Sequence, residues 1–300
     1  MDLTRQTRRE ALSFGGRLML GGLFSGAGLV RSFSLVAEEN KQSAHRFQLG
    51  VCDWTAGKRA DPAALEVAKR VGLDGIMALM DYSPGPSPLL SPERQKQYRT
   101  MAAKLQMGIG GLSLGALSPV PYKSDPRAQQ WVADSIEASR AIGTKIVLVP
   151  FFGDAADLKN DRKGTDAVIQ RFREIAPQAE KAGVTLGIES WLSAAEHMAI
   201  LDKVGSNAVQ VYYDMGNSHK MGYDIYQEIR FLGKHICQFH AKDYGGLFGK
   251  GSINFPEARR AMDDIHFNGW IHIEEGEKPL SEQEVGYNAR YLRSVFPQNA

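Results

Sequence analysis

Four ionisable side chains stand near the ends of four consecutive apolar segments in the second half of this 300-residue sequence. They are Glu189 in VTLGIES, Asp214 in VQVYYDMG, His240 in ICQFHAKD and Glu274 in GWIHIEE. Three carboxylates in one cleft would repel each other and would be driven towards protonation unless a cation compensates them. Together with one imidazole they form an O3N ligand set. This set suits one Mn²⁺, Mg²⁺ or Co²⁺ ion, with Zn²⁺ as a further candidate.

Strand alternation predicts that these four side chains face a common interior. Successive residues of a strand point to opposite faces. In GWIHIEE the two isoleucines take the outward face together with Glu275, which leaves His272 and Glu274 on the inward face. The same alternation turns the other three ionisable residues inward and assigns Cys237 to the outward face. The pattern therefore predicts one metal site at one rim of a sheet.

The elements that must position this site repeat with the rhythm of a (β/α)8 TIM barrel. Short apolar segments alternate with amphipathic helical stretches, and eight such units over about 255 residues match the size of that fold. The segments are residues 47–52, 74–80, 108–114, 145–152, 184–190, 209–216, 236–243 and 269–275. A doubly wound open sheet is the alternative, but the loop after the first strand lacks the G-x-G-x-x-G phosphate motif. We expect one barrel domain over residues 38–300.

Residues 1–37 read as an export signal of the twin-arginine type. Arg8 and Arg9 precede a weakly apolar, glycine-rich run that is too short and too interrupted for a membrane span. A short basic amphipathic helix is the alternative. The sequence thus predicts an exported, periplasmic protein that meets the membrane only through this segment, if it stays uncleaved. Cys52 and Cys237, the two cysteines, lack zinc-type spacing and are expected to be free thiols.

The charge distribution argues against a nucleic-acid partner. Five of the 36 basic and two of the 34 acidic residues lie in residues 1–36, which leaves 31 basic against 32 acidic residues. The net charge of +2 therefore belongs to the N-terminal segment, and the folded body has no broad basic excess.

The motif series LGIES, VYYDMGNSHKMGYD, FHAKDYGGLFGKGSINF and FNGWIHIEEG resembles the xylose-isomerase-like TIM barrels of the sugar phosphate isomerase/epimerase (AP endonuclease family 2-like) superfamily. The resemblance implies the metal ligands Glu189, Asp214, His240 and Glu274. It further implies that the two glutamates act as acid and base on opposite faces of the substrate. Asn217, His219 and Lys242 would then touch substrate hydroxyls, and Gly249 and Gly251 would shape a closing loop.

Several of these residues have a second interpretation that the sequence leaves open. Trp54 and Trp191, just beyond the first and fifth strands, either stack on sugar faces or pack at the rim. Lys242 either donates to the substrate or pairs with a carboxylate, and His219 is either catalytic or a solvent-exposed loop residue. His272, one layer below the rim, is expected to support the site rather than to bind the metal.

The resemblance implies a metal-dependent sugar isomerase or epimerase. Its first step would be proton abstraction next to a carbonyl, through an enediolate that the metal stabilises. An unphosphorylated ketose or keto-sugar is the expected substrate, and a keto-glycoside lyase or dehydratase using the same first step is the alternative. A non-catalytic sugar-binding barrel is a weaker candidate. So is an abasic-site endonuclease, because such relatives carry histidine where this chain has Asn217. A homo-oligomer is left open.

Overall fold

Eight parallel strands close into a barrel in the computed structural model, which describes residues 46–83, 85–244, 247–275 and 278–298. The strands are β1 (Phe47–Cys52), β2 (Gly75–Leu79), β3 (Gly108–Ser113), β4 (Ile146–Phe151), β5 (Thr185–Ser190), β6 (Val209–Asp214), β7 (Ile236–Ala241) and β8 (Gly269–Ile273). Each strand pairs with the next, and β8 returns to β1. The predicted (β/α)8 TIM barrel is therefore confirmed.

Helices follow the strands and cover the outside of the barrel. In the described part of the chain they are α1 (Ala64–Arg70), α2 (Pro92–Leu105), α3 (Pro126–Ile142), α4 (Arg162–Ala182), α5 (Ala194–Val204), α6 (Met215–Lys220), α7 (Ile225–Leu232), α8 (Phe255–Asp264) and α9 (Glu282–Val295). Helix α3 shows why the boundaries fall where they do. Asp125 caps its N-terminus, Pro126 takes the first helical position, and Gly143 ends it in the left-handed conformation.

The apolar side chains form two separate cores. The larger core lies between sheet and helices and takes the outward residues of the strands, among them Ile271 and Ile273. The smaller core fills the barrel interior with Cys52, Met77, Leu148 and Tyr212. This division is the one that strand alternation predicts, because alternate residues of a barrel strand face its two sides.

Cys237 departs from the predicted alternation. It packs against the interior core rather than the helical layer. The register between β6 and β7 shifts at this point, since Val211 pairs with Ile236 while Tyr212 pairs with Gln238. The extra residue of a bulge breaks the alternation locally, so Cys237 turns inward although its parity assigned it outward.

Two stacked rings fill the lower part of the barrel. Trp270 and His272, on the inward face of β8, lie parallel with their centroids 5.3 Å apart. Strands β1 and β3 make room with glycine, because a Cβ at Gly50 or Gly110 would overlap the His272 ring. These close approaches support the upper layer, in which the ionisable side chains lie.

The predicted signal segment, residues 1–37, lies outside the described residues. Among the residues that are described, no helix has both the length and the apolar character needed to cross a membrane. Cys52 and Cys237 are free thiols, as predicted.

Candidate metal centre and substrate cavity

The barrel brings the four predicted ligands together at its C-terminal rim. Glu189 is the second-last residue of β5 and Asp214 is the last residue of β6. His240 lies in β7, and Glu274 follows β8 directly. One ligand atom from each side chain lies within 4.8 Å of the others. Asp214 and His240 are also register partners across the β6–β7 pair. The cluster can hold one divalent metal ion with three carboxylate oxygens and one imidazole nitrogen.

The two nitrogens of the His240 ring face different surroundings. Nδ1 points at the carboxylates, 3.1 Å from Glu189 Oε1 and 3.7 Å from both Asp214 Oδ2 and Glu274 Oε2. Nε2 lies 3.4 Å from the Cys52 sulfur on β1. Nδ1 is therefore the nitrogen that a metal ion in this cluster would meet.

The His240 ring also rests on the interior core. The Tyr212 ring packs against it with centroids 4.5 Å apart, and the Tyr212 hydroxyl lies 3.0 Å from Nδ1 of His272. His272 is completely buried below the cluster. It thus acts on the site through Tyr212, in line with the supporting role expected from its position.

The electrostatics of the cluster are compatible with a bound cation. Burial raises the pKa of Glu189 to about 7, although His240 works against this rise. Asp214 is also buried, but Lys242 and His240 outweigh burial and lower its pKa to about 2. Among the described residues, Asp214 Oδ2 is buried without a hydrogen-bond partner. Asp214 thus has a buried carboxylate oxygen without a hydrogen-bond partner, close to Glu189 with its pKa of about 7. These two features fit a site that can hold a metal ion.

Polar neighbours hold three of the ligands in place. Lys242 lies 2.6 Å from Glu274 Oε2 through its ammonium group, so one of the two interpretations of Lys242, pairing with a ligand carboxylate, is present in the structure. The backbone N–H of Asn217 donates to Asp214 Oδ1 over 2.8 Å, because Asp214 is the N-cap of α6. The Asn217 amide donates in turn to Glu189 Oε1 over 3.3 Å.

A cavity of about 240 Å³ opens above these residues. Glu189, Glu274, Lys242 and Asn217 contribute to its lining, and so do the predicted aromatic residues Trp54 and Trp191. His219 differs from the other predicted substrate contacts. It is exposed on α6 and is not among the residues that line the cavity.

The cavity has further walls that sequence reasoning missed: Arg59, Ser113, Ser118, Phe152 and Tyr244. Of these residues, only Tyr244 could have been predicted from the sequence, because it continues the inward alternation of His240 and Lys242. Its hydroxyl donates to the Asn217 side-chain oxygen over 2.6 Å. Asn217 therefore connects Tyr244 to Glu189, since its amide group donates to the Glu189 carboxylate. The others lie on or next to the first four strands, where no ionisable residue repeats from one strand to the next.

Trp191 is held by its neighbours on the rim. The Tyr223 hydroxyl donates to the Trp191 carbonyl over 3.0 Å, and Lys159 donates to Tyr223 over 2.9 Å. The Phe152 ring meets the Trp191 ring edge-on at 5.0 Å, and the Lys220 ammonium lies 5.6 Å from its centre. The indole therefore lines the cavity from a constrained loop, which suits a rigid surface for a sugar face.

Glu275 points away from the metal cluster and organises the next loop. Its carboxylate accepts the backbone N–H of Asp243 over 3.1 Å. The Asp243 carboxylate accepts the N–H groups of Ser252 and Ile253 in the loop before α8. Gly251 is needed there because a Cβ would overlap that carboxylate. Glu275 thus contacts the segment that follows β7, and it is not part of the metal cluster found among the described residues.

Comparison with known proteins shows which family and which solved structures this chain resembles. A family model for xylose isomerase-like TIM barrels matches residues 65–295. The uncharacterized protein MJ1311 of Methanocaldococcus jannaschii is 22% identical over 160 residues, covering 48% of this chain and 55% of that protein. The chain thus spans little more than half the length of this relative.

Two solved structures share the fold over most of both chains. D-psicose 3-epimerase from Clostridium cellulolyticum H10, solved with D-tagatose, superposes with a TM-score of 0.71 at 16% identity, covering 83% of this chain and 99% of that one. The 3-keto-D-glucoside 4-epimerase from E. coli superposes with a TM-score of 0.66 at 12% identity, covering 83% and 98%. At such identities the likeness establishes the fold of this chain.

Proposed function

The chain belongs to the xylose isomerase-like TIM barrel family, and from this premise we propose that it is a metal-dependent sugar isomerase or epimerase. The observation that carries the proposal is the cluster of Glu189, Asp214, His240 and Glu274, of which the two glutamates line the 240 Å³ cavity. Mn²⁺, Mg²⁺ or Co²⁺ suits this oxygen-rich set best. Binding alone would not need two glutamates on separate strands that both face the cavity.

The proposed reaction moves a proton on the carbon next to a carbonyl. A bound divalent cation supplies Lewis acidity that polarises the carbonyl and stabilises the negative charge that develops. Glu189 and Glu274 reach the substrate from β5 and from the end of β8, so one removes the proton and the other returns it. Lys242 and Asn217 orient these two carboxylates, and both also line the cavity, where they can donate to substrate oxygens.

The substrate is proposed to be an unphosphorylated ketose or keto-sugar. Two basic residues appear in the lining of the cavity, and each has a carboxylate partner. Arg59 bonds Asp81 over 2.9 Å, and Lys242 bonds Glu274 over 2.6 Å. Arg and Lys are the side chains that commonly bind phosphate through charge-assisted hydrogen bonds, and here both are engaged by carboxylates. Trp54 and Trp191 instead offer flat apolar surface to a sugar ring. The keto-glycosides acted on by one structural relative fall within this substrate class.

An elimination from the same intermediate is the second candidate. If the substrate carries a leaving group next to the carbanion, loss of that group competes with return of the proton. The Lys242 ammonium lines the cavity 2.6 Å from Glu274, where it can donate a hydrogen bond to a departing oxygen. Identification of the product separates this lyase or dehydratase activity from isomerisation and epimerisation.

Two measurements test the proposal. The first is the metal content of the purified protein and its affinity for added Mn²⁺. The second is deuterium incorporation from D₂O into a panel of ketoses and 3-keto-glycosides, followed by mass spectrometry and NMR. We expect exchange at the carbon next to the carbonyl with at least one member. Absence of exchange across the panel by the metal-loaded protein refutes the acid–base proposal, and Glu189→Gln serves as the inactive control.

We further propose that the protein is exported, on the strength of Arg8, Arg9 and the glycine-rich run that follows them. Export of the twin-arginine kind suits an enzyme that folds around a metal ion before translocation. Its partner is then a small sugar outside the cytoplasm rather than a nucleic acid, in keeping with the balanced charge after residue 36.

A further inference from the structure

The buried contact between Cys52 and His240 joins the end of β1 to the metal cluster. The Cys52 sulfur lies 3.4 Å from Nε2, on the side of the ring opposite to the carboxylates. Both residues are fully buried. We infer that Cys52 is a positioning residue, whose sulfur accepts the Nε2–H hydrogen bond and thereby keeps the Nδ1 lone pair directed at the metal. This inference rests on the proposed function, because it concerns the same metal site.

The inference follows from the two ends of the imidazole. A neutral imidazole carries one proton, so a ring that binds metal through Nδ1 carries that proton on Nε2. A buried N–H requires an acceptor, and the atom at hydrogen-bond distance from Nε2 is the Cys52 sulfur. Partners of this kind, on the far nitrogen of a metal-binding histidine, set both its tautomer and its orientation.

The alternative tautomer shows what Cys52 prevents. A proton on Nδ1 would be donated to Glu189 Oε1, which is only 3.1 Å away. That arrangement satisfies two groups of the cluster, but it blocks the nitrogen that the metal needs. Tyr212 packs against the ring at 4.5 Å and restricts its rotation. The acceptor on the Nε2 side therefore decides which of the two tautomers is favoured.

The chain offers a matched control in its other cysteine. Cys237 is also a free thiol packed against the interior core. Its sulfur lies 3.2 Å from the Val211 carbonyl, and among the described residues no imidazole nitrogen lies at hydrogen-bond distance from it. Cys237→Ala therefore removes a sulfur from the same interior without touching His240, whereas Cys52→Ser shortens the side chain but keeps an acceptor.

The first experiment reads the tautomer in the wild-type protein. Long-range ¹H–¹⁵N spectra of ¹⁵N-histidine-labelled, Zn²⁺-loaded protein report which ring nitrogen carries the proton, and the His240 signals are identified by their loss in His240→Gln. We expect the proton on Nε2. A proton on Nδ1 overturns the inference whether or not any Cys52 variant folds.

The second experiment measures the Mn²⁺ dissociation constant by electron paramagnetic resonance of free Mn²⁺. We expect Cys52→Ala to weaken binding about tenfold, the lower end of the range for loss of such a partner, because sulfur is a weak acceptor. The Mn²⁺ dissociation constants of Cys52→Ser and Cys237→Ala should stay within about twofold of the wild-type value. The first variant keeps an acceptor for His240, and the second does not change a contact of His240.

Equal affinity of Cys52→Ala and wild type, or an equal loss in Cys237→Ala, overturns the inference while leaving the proposed function intact. Failure of the wild-type protein to bind either Mn²⁺ or Zn²⁺ refutes the metal-dependent function itself, and the role of Cys52 with it. The two failures are therefore distinguishable.

Discussion

Glu274 and Glu275 are adjacent carboxylates with opposite surroundings, and their exchange for glutamine is the sharpest test of the site. The Glu274 carboxylate lies 3.7 Å from His240 Nδ1 and 2.6 Å from the Lys242 ammonium, inside the metal cluster. The Glu275 carboxylate accepts the Asp243 N–H and lies outside that cluster. The same chemical change one residue apart thus removes a metal ligand in one case and a loop contact in the other.

The expected effects differ by orders of magnitude. Glu274→Gln removes an anionic ligand and an acid–base group, so we expect kcat/KM to fall by about 10² to 10⁴-fold. Burial raises the pKa of Glu275 to about 7, so much of this side chain is already uncharged at neutral pH. Glutamine mimics that neutral form and keeps an oxygen for Asp243. We therefore expect Glu275→Gln to weaken this hydrogen bond by about 1 kcal/mol or less, which corresponds to a fall in kcat/KM of at most about fivefold.

The assay is the D₂O exchange rate with a reactive ketose or keto-glycoside at saturating Mn²⁺, with the Mn²⁺ dissociation constant measured in parallel. Glu275→Leu provides the matched variant that lacks an acceptor. It removes the Glu275 oxygen that accepts the Asp243 N–H and should lower the free energy of unfolding by about 0.5–1.5 kcal/mol. Equal loss of activity in Glu274→Gln and Glu275→Gln would mean that the inward and outward faces of this segment have been assigned wrongly.

Two further predictions concern pH and export. Because burial holds the pKa of Glu189 near 7, above its ordinary 4.5, the metal-free protein loses stability as the pH rises through that interval, by up to about 3 kcal/mol. Mn²⁺ binds the ionised carboxylate, so the gain in Tm on adding Mn²⁺ should be larger near about pH 7.5 than near about pH 5; an equal gain at both contradicts the argument. Replacing Arg8 and Arg9 by lysine should leave the protein in the cytoplasm while its Mn²⁺ affinity is unchanged. Periplasmic recovery of that variant, measured by cell fractionation, would contradict the twin-arginine assignment.

The barrel and the convergence of the four ionisable residues were predictable because both depend on local repetition. Eight apolar segments separated by helices specify the fold, and alternation within a strand specifies which side chains share an interior. The observed strands begin within one residue of the predicted ones. Several strands end earlier than predicted, because residues at the rim belong to the helix cap or the loop that follows the strand. Asp214 closes β6 by capping α6, and Glu274 already lies beyond β8.

The inward turn of Cys237 was not predictable in the same way. A bulge changes the pairing register of two strands that are joined through space, and nothing in ICQFHAKD announces it. Alternation remains reliable for His240 because the bulge lies before it, and Tyr212 and Gln238 pair again in register. The position of an irregularity relative to the rim therefore decides whether alternation can locate a site.

The cavity divides between the two halves of the barrel, and this division explains why chemistry is easier to infer than substrate. The four residues that could hold a metal ion come from β5 to β8, whose spacing and parity repeat. The opposite wall comes from β1 to β4 and their loops, with Trp54, Arg59, Ser113, Ser118 and Phe152. We expect the proposed substrate to contact that wall when it binds at the metal cluster, so that its hydroxyl pattern is selected there. Those residues share no spacing, since each loop places its side chain independently. Under the proposed function, the half of the barrel without a sequence pattern is therefore the half that we expect to select the sugar.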